Sequence, residues 1–204
     1  NLYQASLKGQ GTEILADEIK DLYHRTPDLF QKAAWLTALS EYPEAHEFVA
    51  AELSKTELAQ VRSAGASALV AMNKSTHFRP HLKLPFLKIY EGLMRSQSDP
   101  AVLGIIAMAL ADSTLEYRSM VRDPSFLYVA RKKLRLPEHN ESLQSIEAAI
   151  AYLENRRQTV AVRNEFNHPI NWALVRSIPE DQMTSIRTTR GRIVIRLLVK
   201  EAPG

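Results

Sequence analysis

Over most of the chain, apolar residues recur every three or four positions, the spacing of an amphipathic helix; near the C-terminus they alternate instead. The clearest helical stretch is 57–72, where Leu58, Val61, Ala64, Gly65, Ala68, Leu69 and Met72 fall on one stripe. Small residues dominate it, and Ala64, Gly65, Ala66 and Ala68 let a neighbouring helix approach closely. Residues 31–39 and 100–110 carry the same small-residue pattern and also end in Ala-Leu; residues 146–153 are a looser copy. The Ala-Leu pairs recur at about 30 and then about 40 residues, a period suited to stacked helical hairpins.

Taken in order, a first helix begins at Thr12, with Ile14, Leu15, Ile19 and Leu22 inward. Thr26-Pro27-Asp28 ends it and opens a second, which runs to about Tyr42 and buries Phe30, Ala33, Ala34, Leu36, Ala38 and Leu39. Pro43 starts a short third helix with Phe48, Val49 and Leu53 inward, and residues 73–76 form the turn after the fourth. Pro80 and Pro85 place the next helix start near 85, with Phe86, Ile89, Tyr90 and Leu93 apolar. Ser98-Asp99-Pro100 is a helix start. The segment behind it is apolar almost all round and belongs at the centre of the stack. Two short helices follow within 113–136, separated by Asp123-Pro124, and a last one spans about 142–157.

At about residue 158 the pattern changes. A polar connector leads to 170–178, which partly alternates and reads as a possible strand. Two β-like runs then flank Thr189-Arg190-Gly191-Arg192, a tight-turn candidate. In the second run Ile193, Ile195, Leu197 and Val199 share one face, with Val194, Arg196 and Leu198 opposite.

Charge changes this picture little. The net charge is +3, but residues 1–120 carry 12 Lys/Arg against 14 Asp/Glu and residues 121–204 carry 14 against 9. The basic residues of the second part are spread over several elements, which describes a solvated surface better than a nucleic-acid stripe. Base stacking would need exposed aromatics among them, and Tyr128 and Tyr152 fall at core or boundary spacing. The absence of cysteine excludes disulfides, thiolate zinc sites and thiol catalysis. No signal peptide or membrane-spanning run is visible. The first residue is Asn rather than Met, so the chain reads as a processed product. That leaves the compartment open between cytoplasm and periplasm.

Catalytic patterns are missing too. His77 and His81 are four apart, but Pro80 lies between them and no carboxylate completes a metal set. There is no Gly-x-Ser-x-Gly elbow and no phosphate loop, so no catalytic residue, metal or cofactor is expected. The residues suited to a partner surface are Arg62, at the edge of the small-residue stripe, and Arg131, Lys132 and Arg135, at the end of a short helix. For Arg62 a structural salt bridge or carbonyl contact is the competing role. The cations of 131–135 equally suit a helix C-terminus.

The helical part resembles HEAT-type repeats. The likeness rests on Val61-Arg62-Ser63-Ala64-Gly65-Ala66-Ser67-Ala68-Leu69 and on Asp99-Pro100-Ala101-Val102, although Leu103 stands where that family favours Arg. It covers about residues 12–157 and implies an α-solenoid that binds protein or peptide partners. The tail resembles the start of a cyclophilin-type peptidyl-prolyl isomerase. Ile186, Thr188, Thr189, Gly191, Ile193, Val194, Ile195, Leu197, Glu201, Ala202 and Pro203 carry that likeness, while Arg196 stands where Glu is common. The family's catalytic arginine and substrate pocket would follow Pro203, so this resemblance implies that the fragment itself is inactive.

The sequence thus predicts a mainly α fold: an α-solenoid of HEAT-like hairpins over 1–157, a connector with a possible strand over 158–184, and a truncated barrel start over 185–204. The implied function is that of a protein-binding or scaffolding module of a multidomain bacterial prolyl isomerase. The alternatives are a free-standing, non-enzymatic interaction protein and, behind it, a nucleic-acid-binding repeat. The sequence does not define an oligomeric state.

Overall fold

Short polar side chains set several helix starts. In a computed structural model of the chain, which describes residues 12–157 and 169–202, Asp28 accepts a hydrogen bond from the Gln31 amide at 2.8 Å. Asp99 does the same for Ala101 at 3.0 Å, just ahead of Pro100. Each cap satisfies an amide that the first helical turn leaves unpaired.

The described residues form α1 (Thr12–Arg25), α2 (Leu29–Ala38), α3 (His46–Lys55), α4 (Ala59–Lys74), α5 (Lys83–Ser96), α6 (Pro100–Ala111), α7 (Ser125–Arg131), α8 (Asn140–Leu153) and α9 (Trp172–Ser177). An antiparallel pair follows, β1 (Met183–Thr188) and β2 (Gly191–Arg196). The chain divides into two compact units, residues 1–163 and 164–204.

In the first unit α1 packs on α2, α3 on α4, α5 on α6 and α7 on α8. The even-numbered helices also pack on one another in order, α2 to α4 to α6 to α8, while α3 touches α5 and α5 touches α7. Ion pairs fix the direction of that row. Arg62 near the start of α4 pairs with Asp99 at the start of α6, and Lys74 at the end of α4 pairs with Asp112 just past the end of α6. The two helices therefore run parallel. Ser142 Oγ donates to the Pro100 carbonyl at 2.7 Å, so α8 likewise begins beside the start of α6.

Small residues make these approaches possible. A β-carbon on Gly65 would lie 3.0 Å from Leu53 Cβ, and one on Gly104 would lie 3.1 Å from Ser142 Oγ. Val102, Leu103, Gly104, Ile106, Ala107, Ala109 and Leu110 of α6 are all buried, as its nearly all-apolar sequence predicts.

Some expectations change. Phe30 and Ala34 are exposed because the buried side of α2 carries Leu36 instead. That helix gives way to 3₁₀ turns, Leu39–Glu41 and Pro43–Ala45, before α3. Leu58 is the exposed N-cap residue of α4 rather than part of its core stripe. Helix α5 begins at Lys83, with Pro85 accommodated in its first turn, where no amide is needed. The first of the two helices expected in 113–136 is a pair of 3₁₀ turns, Ser113–Leu115 and Tyr117–Ser119. They are separated by Glu116 in the left-handed region at φ 53°.

Asn73, expected in a turn, is buried within the last turn of α4. Its side-chain amide donates to the Tyr117 hydroxyl and to the Tyr90 hydroxyl, the latter at 3.3 Å; Tyr90 in turn donates to the Leu69 carbonyl at 3.3 Å. His46, Phe86, Tyr90 and Tyr117 make successive ring contacts through the same core, with centroids 5.0, 6.1 and 5.6 Å apart. Burial raises the Tyr117 hydroxyl pKa to about 12, and that of Tyr90 rises for the same reason. Both remain neutral hydrogen-bonding groups.

In the second unit the possible strand at 170–178 is instead helix α9. Asn171 caps it by accepting from the Leu174 amide at 3.0 Å, which favours a helical turn over extension. The hairpin forms at the expected turn, with Ile186 opposite Ile193 and Thr188 opposite Gly191. Gly191 sits at φ 142°, a conformation that disfavours other residues. Pairing ends at Arg196, so Leu197 and Val199 lie beyond the strand. The polar lead-in at 1–11, the connector through His168, and Pro203-Gly204 lie outside the described residues.

Removing the Tyr117 hydroxyl leaves a buried donor of Asn73 without its partner. Tyr117→Phe is expected to lower unfolding free energy by about 1–3 kcal/mol, measured by urea denaturation, with the helical circular dichroism of the folded state retained.

Candidate functional site

The most distinctive surface of the helical unit is the outer side of the even-numbered row. On α2 its exposed residues are Leu29, Phe30, Gln31, Ala34 and Thr37; on α6 they are Ala101 and Met108. On α4 they are Ala59, Gln60, Ser67, Ala71 and Lys74, and on α8 Glu141 and Gln144. Within each of α4 and α6 the outward positions repeat at helical spacing, so each helix presents a stripe. Charge appears only at Lys74 and Glu141.

The odd-numbered helices differ. Charged side chains are more frequent among their exposed positions: Asp17, Glu18, Asp21, His24 and Arg25 on α1, Glu47 and Lys55 beside Ala51 and Ser54 on α3, Lys88 and Arg95 beside Leu84, Gly92 and Ser96 on α5, and Arg131 beside Val129 on α7. Among the described residues, Met108 on α6 and Phe30 on α2 are the most exposed large apolar side chains, at 64% and 74%. The exposed positions of the row are thus nearly uncharged and include two prominent apolar side chains.

Arg62 stands beside this row, held from two sides. Its Nε is 3.2 Å from Asp99 Oδ2, an ion pair without good hydrogen-bond alignment, and its Nη2 donates to the Glu57 carbonyl at 2.8 Å. The side chain thus links α4 to the N-cap of α6. Lys74 Nζ is 2.6 Å from Asp112 Oδ2 at the other end. The Asp112 carboxylate also accepts from the Thr114 amide and hydroxyl at 2.9 and 2.7 Å. Lys74 first, then Thr114, holds its pKa down at about 2.

The other sequence candidates lie elsewhere. Arg131 Nε is 2.7 Å from Oε1 of Glu147, a buried carboxylate on α8, and so ties α7 to α8. Lys132 and Arg135 are exposed and make no ion pair among the described residues. Residues 131–135 lie at the end of an odd-numbered helix, whereas Arg62 lies on an even-numbered one. The cation between them, Lys133, does something the sequence does not reveal. Its ammonium donates to the carbonyls of Met94, Arg95 and Gln97 at 3.3, 2.6 and 2.7 Å, closing the C-terminal end of α5. Desolvation there lowers its pKa from the ordinary lysine value.

Tyr128 donates to Glu154 at 2.5 Å and accepts from Arg156 at 3.3 Å, while Arg118 lies over the Tyr152 ring at 5.5 Å. Both tyrosines are thus engaged within the fold. Trp35 is half-buried and donates to Thr26 Oγ1 at 3.0 Å, whereas Trp172 on α9 is exposed. His77 and His81 are both exposed, and no group of three or more metal-ligating side chains exists among the described residues. No helix among them is long and apolar enough to cross a membrane.

The chain matches no family model, and no curated protein or solved structure shows significant similarity to it.

The Asp112 contacts give a pH signature. A carboxyl whose pKa is lowered on folding stabilises the native state above its unfolded pKa and loses that contribution as pH falls through its native value. Asp112→Asn is therefore expected to cost about 1 kcal/mol at pH 7. The difference from the parent chain should shrink below pH 4 and vanish only below pH 2. Urea midpoints of both proteins across that range check it; a difference independent of pH would contradict the assignment.

Proposed function

We propose that residues 12–157 form an α-solenoid of four HEAT-like hairpins that binds protein or peptide partners, and that the module belongs to a multidomain bacterial peptidyl-prolyl isomerase. The observation that carries the binding role is the nearly uncharged outer surface of the even-numbered row. Parallel packing of α4 and α6, with α8 beginning beside the start of α6, supports the solenoid, because a hairpin then repeats the placement of the one before it. Arg62–Asp99 and Lys74–Asp112 hold two such helices in register at both ends, which gives a partner a preorganised surface and lowers the ordering cost of binding.

The isomerase half of the reading rests on the hairpin. Ile186 lies opposite Ile193 on the same face as Ile195, and all three side chains are exposed. A two-stranded hairpin is marginally stable by itself, and an isoleucine face of this kind is what further strands of a barrel would cover. In that setting the helical module gathers a polypeptide beside a barrel that turns its Xaa-Pro bonds. That rotation has a barrier of about 18–20 kcal/mol.

Met108 gives the direct test. Met108→Glu places a charge at an exposed position and is expected to leave the fold intact. It should weaken capture of a reduced, carboxymethylated protein by roughly tenfold, measured by surface plasmon resonance. Unchanged capture would remove the row from the binding role. For the isomerase assignment, the intact mass of the natural gene product is decisive. A product longer by one barrel, whose turnover on protein substrates falls when residues 1–157 are deleted, supports it. A product ending near residue 204 supports a free-standing interaction protein.

A further inference from the structure

The register of β1 and β2 sorts their side chains onto two unlike faces. Thr184, Ile186, Ile193 and Ile195 share one; Met183, Ser185, Arg187, Arg192, Val194 and Arg196 share the other. Every charged residue in the two strands is an arginine on that second face, and all three arginines are exposed. Arg187 and Arg192 stand directly opposite each other. Like charges in that position destabilise a hairpin, so this placement costs stability rather than supplying it.

Among the described residues none of the three makes an ion pair. The nearest carboxylates serve other groups or only one edge of the face. Glu180 pairs with Lys200, and Glu180, Asp181 and Glu201 share a cleft of about 280 Å³ with Arg196 alone of the three. Val194 lies between Arg192 and Arg196 along β2 and is 48% exposed; Met183, opposite Arg196, is 52% exposed.

We propose that this face binds an extended acidic polypeptide segment of the pattern acidic–x–apolar–x–acidic. In an extended chain every second side chain points the same way. Residues i, i+2 and i+4 of the partner therefore repeat the spacing of Arg192, Val194 and Arg196, which spans roughly 13 Å at about 3.3 Å per residue. Two carboxylates meet the outer guanidiniums, whose planar forks suit bidentate pairing, and the apolar side chain covers Val194. Arg187 reinforces the site at Arg192, and a bound carboxylate relieves the repulsion between them. A nucleic-acid backbone would satisfy the arginines but offers nothing apolar to Val194 and Met183, and no aromatic residue lies on the hairpin for a base to stack on. The isoleucine face is not used, so the site is compatible with further strands covering it and does not depend on the helical row.

The test is fluorescence anisotropy of the full chain with a fluorescein-labelled peptide containing Glu-Ser-Val-Ser-Glu, against an analogue containing Lys-Ser-Val-Ser-Lys. The acidic peptide should bind at least about tenfold more tightly, and about 0.5 M salt should weaken it. Arg192→Glu should reduce binding by about tenfold or more. That change sets a carboxylate opposite Arg187, an arrangement that favours the hairpin, so the loss would not reflect unfolding; an unchanged circular dichroism spectrum and thermal midpoint check this. Arg192→Lys should retain part of the affinity. Met108→Glu should leave peptide binding unchanged, which separates this site from the helical row. Equal binding of the two peptides, or no effect of Arg192→Glu, overturns the proposal. So does an oligothymidylate that displaces the acidic peptide and binds more tightly through the same arginines.

Discussion

At Gly65 the backbone of α4 lies so close to Leu53 of α3 that a β-carbon would sit 3.0 Å from its Cβ, with Leu36 of α2 in contact at 3.5 Å. That closeness is the constraint on which the helical unit depends. A small residue at this point lets α4 touch its hairpin partner and its neighbour in the row at once, and Gly104 gives α6 the same freedom toward α8. Close approach brings large side chains from both sides into continuous contact, which is where the dispersion and hydrophobic stabilisation arises. Helix propensity runs the other way, since glycine inside a helix costs about 1 kcal/mol. Packing outweighs it.

Around that contact the polar groups act as alignment devices. Arg62–Asp99 and Lys74–Asp112 fix the ends of α4 against the ends of α6, Arg131–Glu147 joins α7 to α8, and Lys133 closes the end of α5. The more exposed Lys74–Asp112 pair contributes little stability, whereas losing Arg131 would leave the buried Glu147 carboxylate without its counter-charge. The larger effect of these pairs is to choose one register among those that similar small-residue stripes would allow. The Asn73–Tyr117 and Asn73–Tyr90 hydrogen bonds do this inside the core, where leaving any member unpaired is costly. The result is a row of helices whose outer side carries few charges and whose ends are held by charges at its margins.

The two units place their charge in opposite ways. The helical row removes charge from its outer side and leaves apolar and small groups there. The hairpin concentrates arginine on one face and isoleucine on the other. A surface of the first kind gains affinity from area and shape. One of the second kind selects its partner by sign, with strong salt dependence.

The sequence by itself determined the mainly helical character, the central burial of α6, the close-packing role of Gly65, and the hairpin around Gly191. Each follows from local periodicity, caps or the backbone freedom of one residue, and so is written within a few neighbouring positions. The partners of polar side chains were decided only by the tertiary structure. Arg62 meets Asp99, Lys133 meets the end of α5, and Asn73 meets Tyr117, across separations of 37, 36–39 and 44 residues. Nothing in the local pattern distinguishes a cation that caps a distant helix from one left to solvent. For the same reason Asn73 read as a turn residue and Phe30 as a core residue. Residues 170–178 partly alternate yet form α9, where the Asn171 cap outweighs that weak alternation. Local chemistry selects the elements, and their mutual packing decides which of their side chains remain free to meet a partner.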